Sequence, residues 1–223
     1  IELSGDLGAS DMDTLMGKFV SLTLAQLRPQ TAKAAPKPTF KPSGSIARRF
    51  SAAGDATPLT SPEGCEQEAG APNGAMVAAL PEGAACRSGV VGYAVNYGAA
   101  IPAVFESVPL TKATTVGGTA TMTFFLSQPA NASAIDAGYT LLAVAKDGST
   151  IPITAGTVTE LAAAPDGARN DLKLAVAPTS LPAGTSLRLE LLFPYALNSS
   201  LRLLYGGGDY APAGLTLQTG TVS

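Results

Sequence analysis

From residue 90 onward the chain alternates apolar and polar positions with a period of two. "TATMTFFLS" places Ala120, Met122, Phe124 and Leu126 on one face and Thr119, Thr121 and Thr123 on the other. "TSLRLELLF" turns Leu187, Leu189, Leu191 and Phe193 one way and Arg188 and Glu190 the other. "DLKLAVA" repeats the pattern with Leu172, Leu174 and Val176, and "VVGYAVNYGA", "SLRLLY" and "GLTLQTGTVS" follow it. Such alternation is the mark of half-buried strands. In "YTLLAVAKDGSTIPITAG" two runs flank Asp147-Gly148, a hairpin turn signal. Gly, Pro, Asn and Asp separate the runs, and no long stretch has helical period. The pattern predicts an all-β domain over residues 90–223, a jelly roll or β-sandwich.

The first 89 residues read differently. "IELSGDL" alternates Ile1, Leu3 and Leu7 and predicts a strand; "DMDTLMGKFVSLTLAQL" predicts a capped helical start near Asp11 or Asp13 that ends as a strand. "RPQTAKAAPKPTFKPSGSIARRF" holds Pro29, Pro36, Pro38 and Pro42. Each proline fixes φ and removes a donor, so the segment is expected to be an extended arm lying outside any sheet. Charge follows the same division. Residues 14–54 carry Lys18, Arg28, Lys33, Lys37, Lys41, Arg48 and Arg49 and no acid; residues 55–82 carry Asp55, Glu63, Glu66, Glu68 and Glu82 and no base. The expected organisation is a strand and basic arm over 1–49, an acidic loop region over 50–89, and the β domain over 90–223. The arm and the acidic loop suit pairing with each other, within a chain or between copies; they also suit a solvated linker and loop, or an anionic polymer.

Composition narrows the chemistry. The 223 residues include only 14 % charged side chains, a net charge of −3, 24 glycines, 17 prolines, no His and no Trp. Without His, imidazole acid–base catalysis and imidazole metal ligation are excluded. There is no Gly-x-Ser-x-Gly motif to activate a serine nucleophile. An acidic chain with two phenylalanines in its basic arm is a poor nucleic-acid ligand. The apolar run 90–105 is broken by Asn96 and Pro102 and is too short to span a bilayer. The chain begins at Ile1 rather than Met, which reads as a processed chain whose signal peptide has gone. Cys65 and Cys86 are expected to form one disulfide, worth roughly 3 kcal/mol by loop entropy. With the sparse charge, this suggests a secreted or cell-surface setting. Asn131 and Asn198 head glycosylation sequons.

Gly206-Gly207-Gly208 raises the question of a phosphate cradle. Such a cradle needs a strand, then glycines, then a helix N-terminus facing the anion. Here "DYAPAGLTL" follows, with no Lys-Ser/Thr pair and a return to alternation. The glycines therefore read as a bend between strands. The turn acids Asp147, Asp166, Asp171 and Asp209 read as turn formers rather than a catalytic carboxylate pair. No cofactor is called for, calcium being the single candidate, through Asp166, Asn170 and Asp171 in "DGARND". Tyr93, Tyr97, Tyr139, Tyr195, Tyr205 and Tyr210 suit core or rim packing, with a sugar-stacking platform as the alternative.

Three stretches carry a family resemblance. "VGGTATMTFFLS" (116–127), "AKDGSTIPITAGTV" (145–158) and "LPAGTSLRLELLFP" (181–194) resemble the C-terminal galactose-binding-like jelly rolls appended to secreted serine peptidases of the X-prolyl dipeptidyl-peptidase type. In that family a Pro-x-Gly turn leads into a Leu-rich strand, as Pro182-Ala183-Gly184 leads into Leu187 to Leu191 here. The family turn often carries His-Arg after the glycine; here Thr185-Ser186 stand there. The resemblance implies a jelly roll with an accessory or structural role and carries no catalytic residues.

Together these features predict a non-enzymatic, secreted structural subunit of a filament, sheath or coat. Its copies would join by arm or strand exchange through Ile1, Leu3, Leu7, Lys33, Lys37, Lys41, Arg48 and Arg49. A carbohydrate-binding accessory module is the alternative, and a capsid-like jelly roll holding nucleic acid is a third.

Overall fold

A computed structural model of the chain describes residues 39–52, 59–60, 65–68, 71–94, 99–130, 132–193 and 201–223, all within the unit Thr39–Ser223. Its strands are β1 (Phe40–Ala52), β2 (Leu59–Thr60), β3 (Glu66–Gln67), β4 (Asn73–Val77), β5 (Cys86–Val90), β6 (Gly92–Ala94), β7 (Ala99–Ile101) and β8 (Ala103–Ser107). There follow β9 (Thr114–Ser127), β10 (Ala132–Val144), β11 (Thr150–Ala163), β12 (Ala168–Leu181), β13 (Ser186–Leu192), β14 (Arg202–Gly206) and β15 (Gly214–Val222). The fold is an all-β sandwich, as the alternation predicts.

Two rows of side chains show how the alternation builds its layers. In one, β9 pairs with β12 on one edge and with β14 and β15 on the other, so Ala120 lies between Leu174 and Leu217, all three buried. In the other, β13 pairs with β10 and β8, so Leu189 lies between Leu141 and Phe105, all fully buried. Phe124 of β9 meets Phe193, just past β13, edge to face at 6.4 Å. Burying each of these Leu and Phe side chains stabilises the fold by about 1.5–3 kcal/mol.

The hairpin at Asp147-Gly148 forms as expected. Gly148 sits at φ 83° and donates to Ala145 O, and Ser149 N–H and Oγ both bond Asp147 Oδ1. These bonds hold the Asp147 carboxyl below the usual carboxylate range, the Ser149 hydroxyl contributing most. The Pro182-Ala183-Gly184 turn is pinned as well. Thr185 Oγ1 donates to Pro182 O, while Gly184 N and Leu110 O, and Leu110 N and Thr185 O, exchange bonds at 2.8 Å. Thr185 thus caps the turn where the resembling family carries His.

The arm expected over residues 28–50 is corrected from Phe40 onward, because those residues form β1. β1 pairs with β15 along Phe40–Arg49 and then with β4 along Arg49–Ala52. Pro42 is tolerated because it sits where the register breaks, between Pro42 and Gly44, and owes the ladder no donor. Past this point the run is free of proline and alternates Ile46, Arg48 and Phe50. Phe50 stacks on Phe105 at 4.3 Å, and Phe105 meets Tyr205 of β14 edge to face at 5.0 Å. β1 is thus a corner strand that ties the two layers together. The expected divisions at 49/50 and 89/90 fall inside this single unit.

Candidate functional site

The triple glycine is a bend. Among its residues Gly206 and Gly208 have φ 91° and 61°, and a short 3₁₀ turn over Gly208–Tyr210 leads toward β15. Gly207 donates to Ala85 O at 3.0 Å, and a Cβ on it would stand 1.5 Å from Ala84 O. The glycines let two backbones meet, and the segment that follows is no helix of useful length for holding a phosphate.

The acidic loop is fastened onto the sandwich. Cys65 and Cys86 form the predicted disulfide, with Cα atoms 4.8 Å apart. Beside it Arg87 pairs with Glu66 at 2.8 Å, both side chains mostly buried. The Tyr205 hydroxyl donates to Glu68 Oε1. Burial, and then the Glu68 charge, push that hydroxyl well above the ordinary tyrosine value. Glu66 and Glu68 are therefore engaged by Arg87 of β5 and Tyr205 of β14.

The calcium candidates do not converge. Asn170 and Asp171 are neighbours on β12 rather than loop residues, so their side chains take opposite faces. Asn170 is 8 % exposed, and its amide is committed to Ala162 N, Ala162 O and Ala168 O. Asp171 bonds Arg169 and Thr123, which hold its carboxyl below the usual carboxylate range, Arg169 contributing most. Asp166 offers its backbone oxygen to the Tyr210 hydroxyl. Among the described residues no group of three or more Cys, Asp or Glu side chains could hold a metal ion.

Of the six tyrosines, Tyr97 and Tyr195 lie outside the described residues, and Tyr139, Tyr205 and Tyr210 do not share a platform. Tyr205 is fully buried, Tyr210 packs against Phe125, and Tyr139 lies over Gly156 on the far hairpin. Of the expected contact residues, Lys41, Arg48 and Arg49 lie on β1. Arg49 donates to Pro212 O at 2.8 Å and Arg48 to Ala47 O at 3.0 Å. Ile1, Leu3, Leu7, Lys33, Lys37, Asn131 and Asn198 lie outside the described residues. No helix among the described residues is long and apolar enough to cross a membrane.

The alternation missed one feature, an unpaired stretch of sheet edge. β1 meets β4 only from Arg49 onward, so among the described residues 40–48 have a ladder partner on the β15 side alone. Along this edge runs a cleft of about 890 Å3, lined by Ser43, Gly44, Ser45 and Ile46 and by the adjoining ends of β9, β12 and β15. Four consecutive residues of one strand line it, as expected of a cleft that follows a strand's edge. Its remaining walls bring hydroxyls, from Thr115 and Ser180, the apolar Leu181, and one charge, Lys112. A row of irregularities shapes this end. The pairing slips at Pro42/Gly44 in β1, at Leu217/Thr219 in β15 and at Val176/Thr179 in β12. Opposite them Gly118 of β9 takes φ 74°, under the ring of Phe40. Such slips bend strands and redirect their ends.

No protein-family model matches the sequence, and no curated protein matches it. Solved structures do share its fold. Two crystal structures of a CocE/NonD family hydrolase from Staphylococcus aureus align with TM-scores of 0.52 and 0.51, at 11 % and 9 % identity. The alignments cover 86 % and 95 % of this chain but 38 % and 46 % of those chains. The chain therefore spans less than half the length of these hydrolases, and what the likeness carries is the β fold alone.

Proposed function

We propose that this chain is a non-enzymatic extracellular structural subunit, part of a filament, sheath or coat whose copies join by exchange of an N-terminal strand. The observation that carries this reading is the stretch of β1, residues 40–48, that has a ladder partner on one side alone among the described residues, beside its cleft. An exposed strand edge is a template for another chain, and proteins that have no use for one cover or break it. The disulfide suits an oxidising compartment. The sparse charge, 14 % of residues, suits a surface covered by neighbours. Asp147, Asp171, Glu66, Glu68, Arg87 and Arg169 are engaged in turns, ion pairs and loop anchors.

Light scattering of the full chain, with negative-stain imaging, tests the reading. Large regular particles support it; a 22.3 kDa monomer at every concentration defeats it. The hydroxyls lining the same cleft favour a second reading, a carbohydrate-binding accessory module. Saturable glycan binding by a monomer is its test.

A further inference from the structure

We propose that the exposed edge of β1 between Pro42 and Arg49 takes an extended acidic segment of a partner protein as an added strand. The inference goes beyond the assembly reading, because it concerns which chemistry the edge admits rather than whether copies polymerise.

The backbone groups of the edge point outward. Phe50 N donates to Ala213 O, so Phe50, and with it Arg48 and Ile46, turn their peptide groups toward β15. By alternation Ser45 and Ala47 turn theirs to the other side, where the pairing with β4 has not yet begun. Residues 41–45 and 47 are exposed, so a strand can reach these groups. The stretch is bounded by Pro42, which lacks an N–H, and by Arg49, where β4 takes over. Residues 43–48 span about 20 Å, the length of a common strand.

The charges select the strand. β1 carries Lys41, Arg48 and Arg49. Neither β1 itself, nor β4 and β15 on its two sides, nor β9 beyond β15 contains an Asp or Glu. The ion pairs among the described residues involve none of these cations, nor Lys112, which lines the cleft beside Ser43 to Ile46. Arg48 lies at the edge itself. Its guanidinium donates to Ala47 O, an outward carbonyl, at 3.0 Å. Its Nε is buried with no hydrogen-bond partner among the described residues. A buried charged donor without an acceptor is costly. A carboxylate on an added strand would supply that acceptor, while an N–H of the same strand takes Ala47 O.

A second β1 is the wrong partner for this edge. Two β1 edges paired antiparallel about Ser45 would set Lys41 of one copy opposite Arg49 of the other. Paired parallel and in register, they would set Arg48 beside Arg48. Like charges directly opposite are destabilising. The same cations thus turn β1 away from its own copy and admit an acidic strand.

Fluorescence anisotropy of the full chain with labelled heptapeptides tests this. One peptide alternates Glu with Val, a second has Lys for Glu, and a third keeps the first sequence but carries a methyl group on every peptide nitrogen. The proposal expects saturable binding of the first, roughly tenfold tighter than of either other peptide, because they lack the charge or the ladder donors. Ser45→Pro removes an outward N–H and leaves the β15 ladder whole, so it should abolish this binding at an unchanged urea midpoint. Lys41→Glu combined with Lys112→Glu, both exposed, should weaken binding about fivefold and replaces Ser45→Pro should that variant not fold. No binding of the first peptide overturns the inference. Equal binding of the methylated peptide also overturns it, since charge alone would then hold the ligand. So does binding indifferent to these substitutions. Peptide binding by a chain that never assembles defeats only the assembly reading; assembly without peptide binding defeats only this inference.

Discussion

The side-chain amide of Asn170 serves Ala162 as a peptide group would: its Oδ1 accepts from Ala162 N–H and its Nδ2 donates to Ala162 C=O, both at 3.0 Å. This pair closes the gap between β11 and β12, which share no ladder. Removing it leaves two backbone groups of a buried region without partners. Asn170→Ala should therefore cost about 2–3 kcal/mol in urea unfolding. Asn170→Asp should cost more, because it loses the donor and places a charge in a buried site. A cost below half a kilocalorie would mean that water replaces the amide.

Gly207 and Gly208 are adjacent yet should respond very differently. A Cβ at 207 meets Ala84 O at 1.5 Å, so Gly207→Ala must push two backbones apart and should cost about 3 kcal/mol or more. At 208 the space is open and only φ 61° opposes a side chain, so Gly208→Ala should cost about 1 kcal/mol. Thermal melts of the two variants check this. Equal, small effects would argue against the bend as the reason for the glycines.

Tyr205 makes stability depend on alkaline pH. Its buried hydroxyl beside Glu68 keeps its proton above the ordinary tyrosine value, while the unfolded chain releases it near pH 10. Below that pH both states hold the proton and the group contributes no slope. Above it the unfolded state binds fewer protons, so stability falls as pH rises. Tyr205→Phe should flatten this fall, and at neutral pH should cost roughly 1–2 kcal/mol through the lost bond to Glu68. Identical slopes for variant and parent between pH 9 and 11 would contradict the assignment.

Glu160 sits at φ 61° on the exposed side of β11, where the pairing with β10 slips. A left-handed conformation costs a residue with a side chain about 1–2 kcal/mol, and glycine gives back part of that in entropy. Glu160→Gly should raise stability by about 0.5–1 kcal/mol, and Glu160→Val should lower it. A Tm that rises for Val and falls for Gly would contradict this backbone account.

Local periodicity made much of this fold readable. Leu187, Leu189, Leu191 and Phe193 alternate in the chain and are all fully buried or nearly so, while Arg188 and Glu190 pair outside at 2.9 Å. Asp147-Gly148 announces its own turn. β1 was harder to see, because what makes it a strand is β15, more than 160 residues away, and its prolines and basic charge resemble a linker. Asp171 reads as a turn residue by type, yet it lies in a strand because Thr123 and Arg169 are there to receive it. That residues 40–48 of β1 have a ladder partner on one side alone among the described residues could not be read at all, since it depends on which strands meet.

Sedimentation of the full chain beside a chain lacking residues 1–8 bears most directly on the assembly claim. The account predicts that the full chain sediments as a polymer. The shortened chain should sediment as a monomer with the same β-sheet circular dichroism and the same urea midpoint. Polymers that survive the deletion would contradict strand exchange, and a full chain that runs as a monomer beside its truncated form would contradict the structural role altogether.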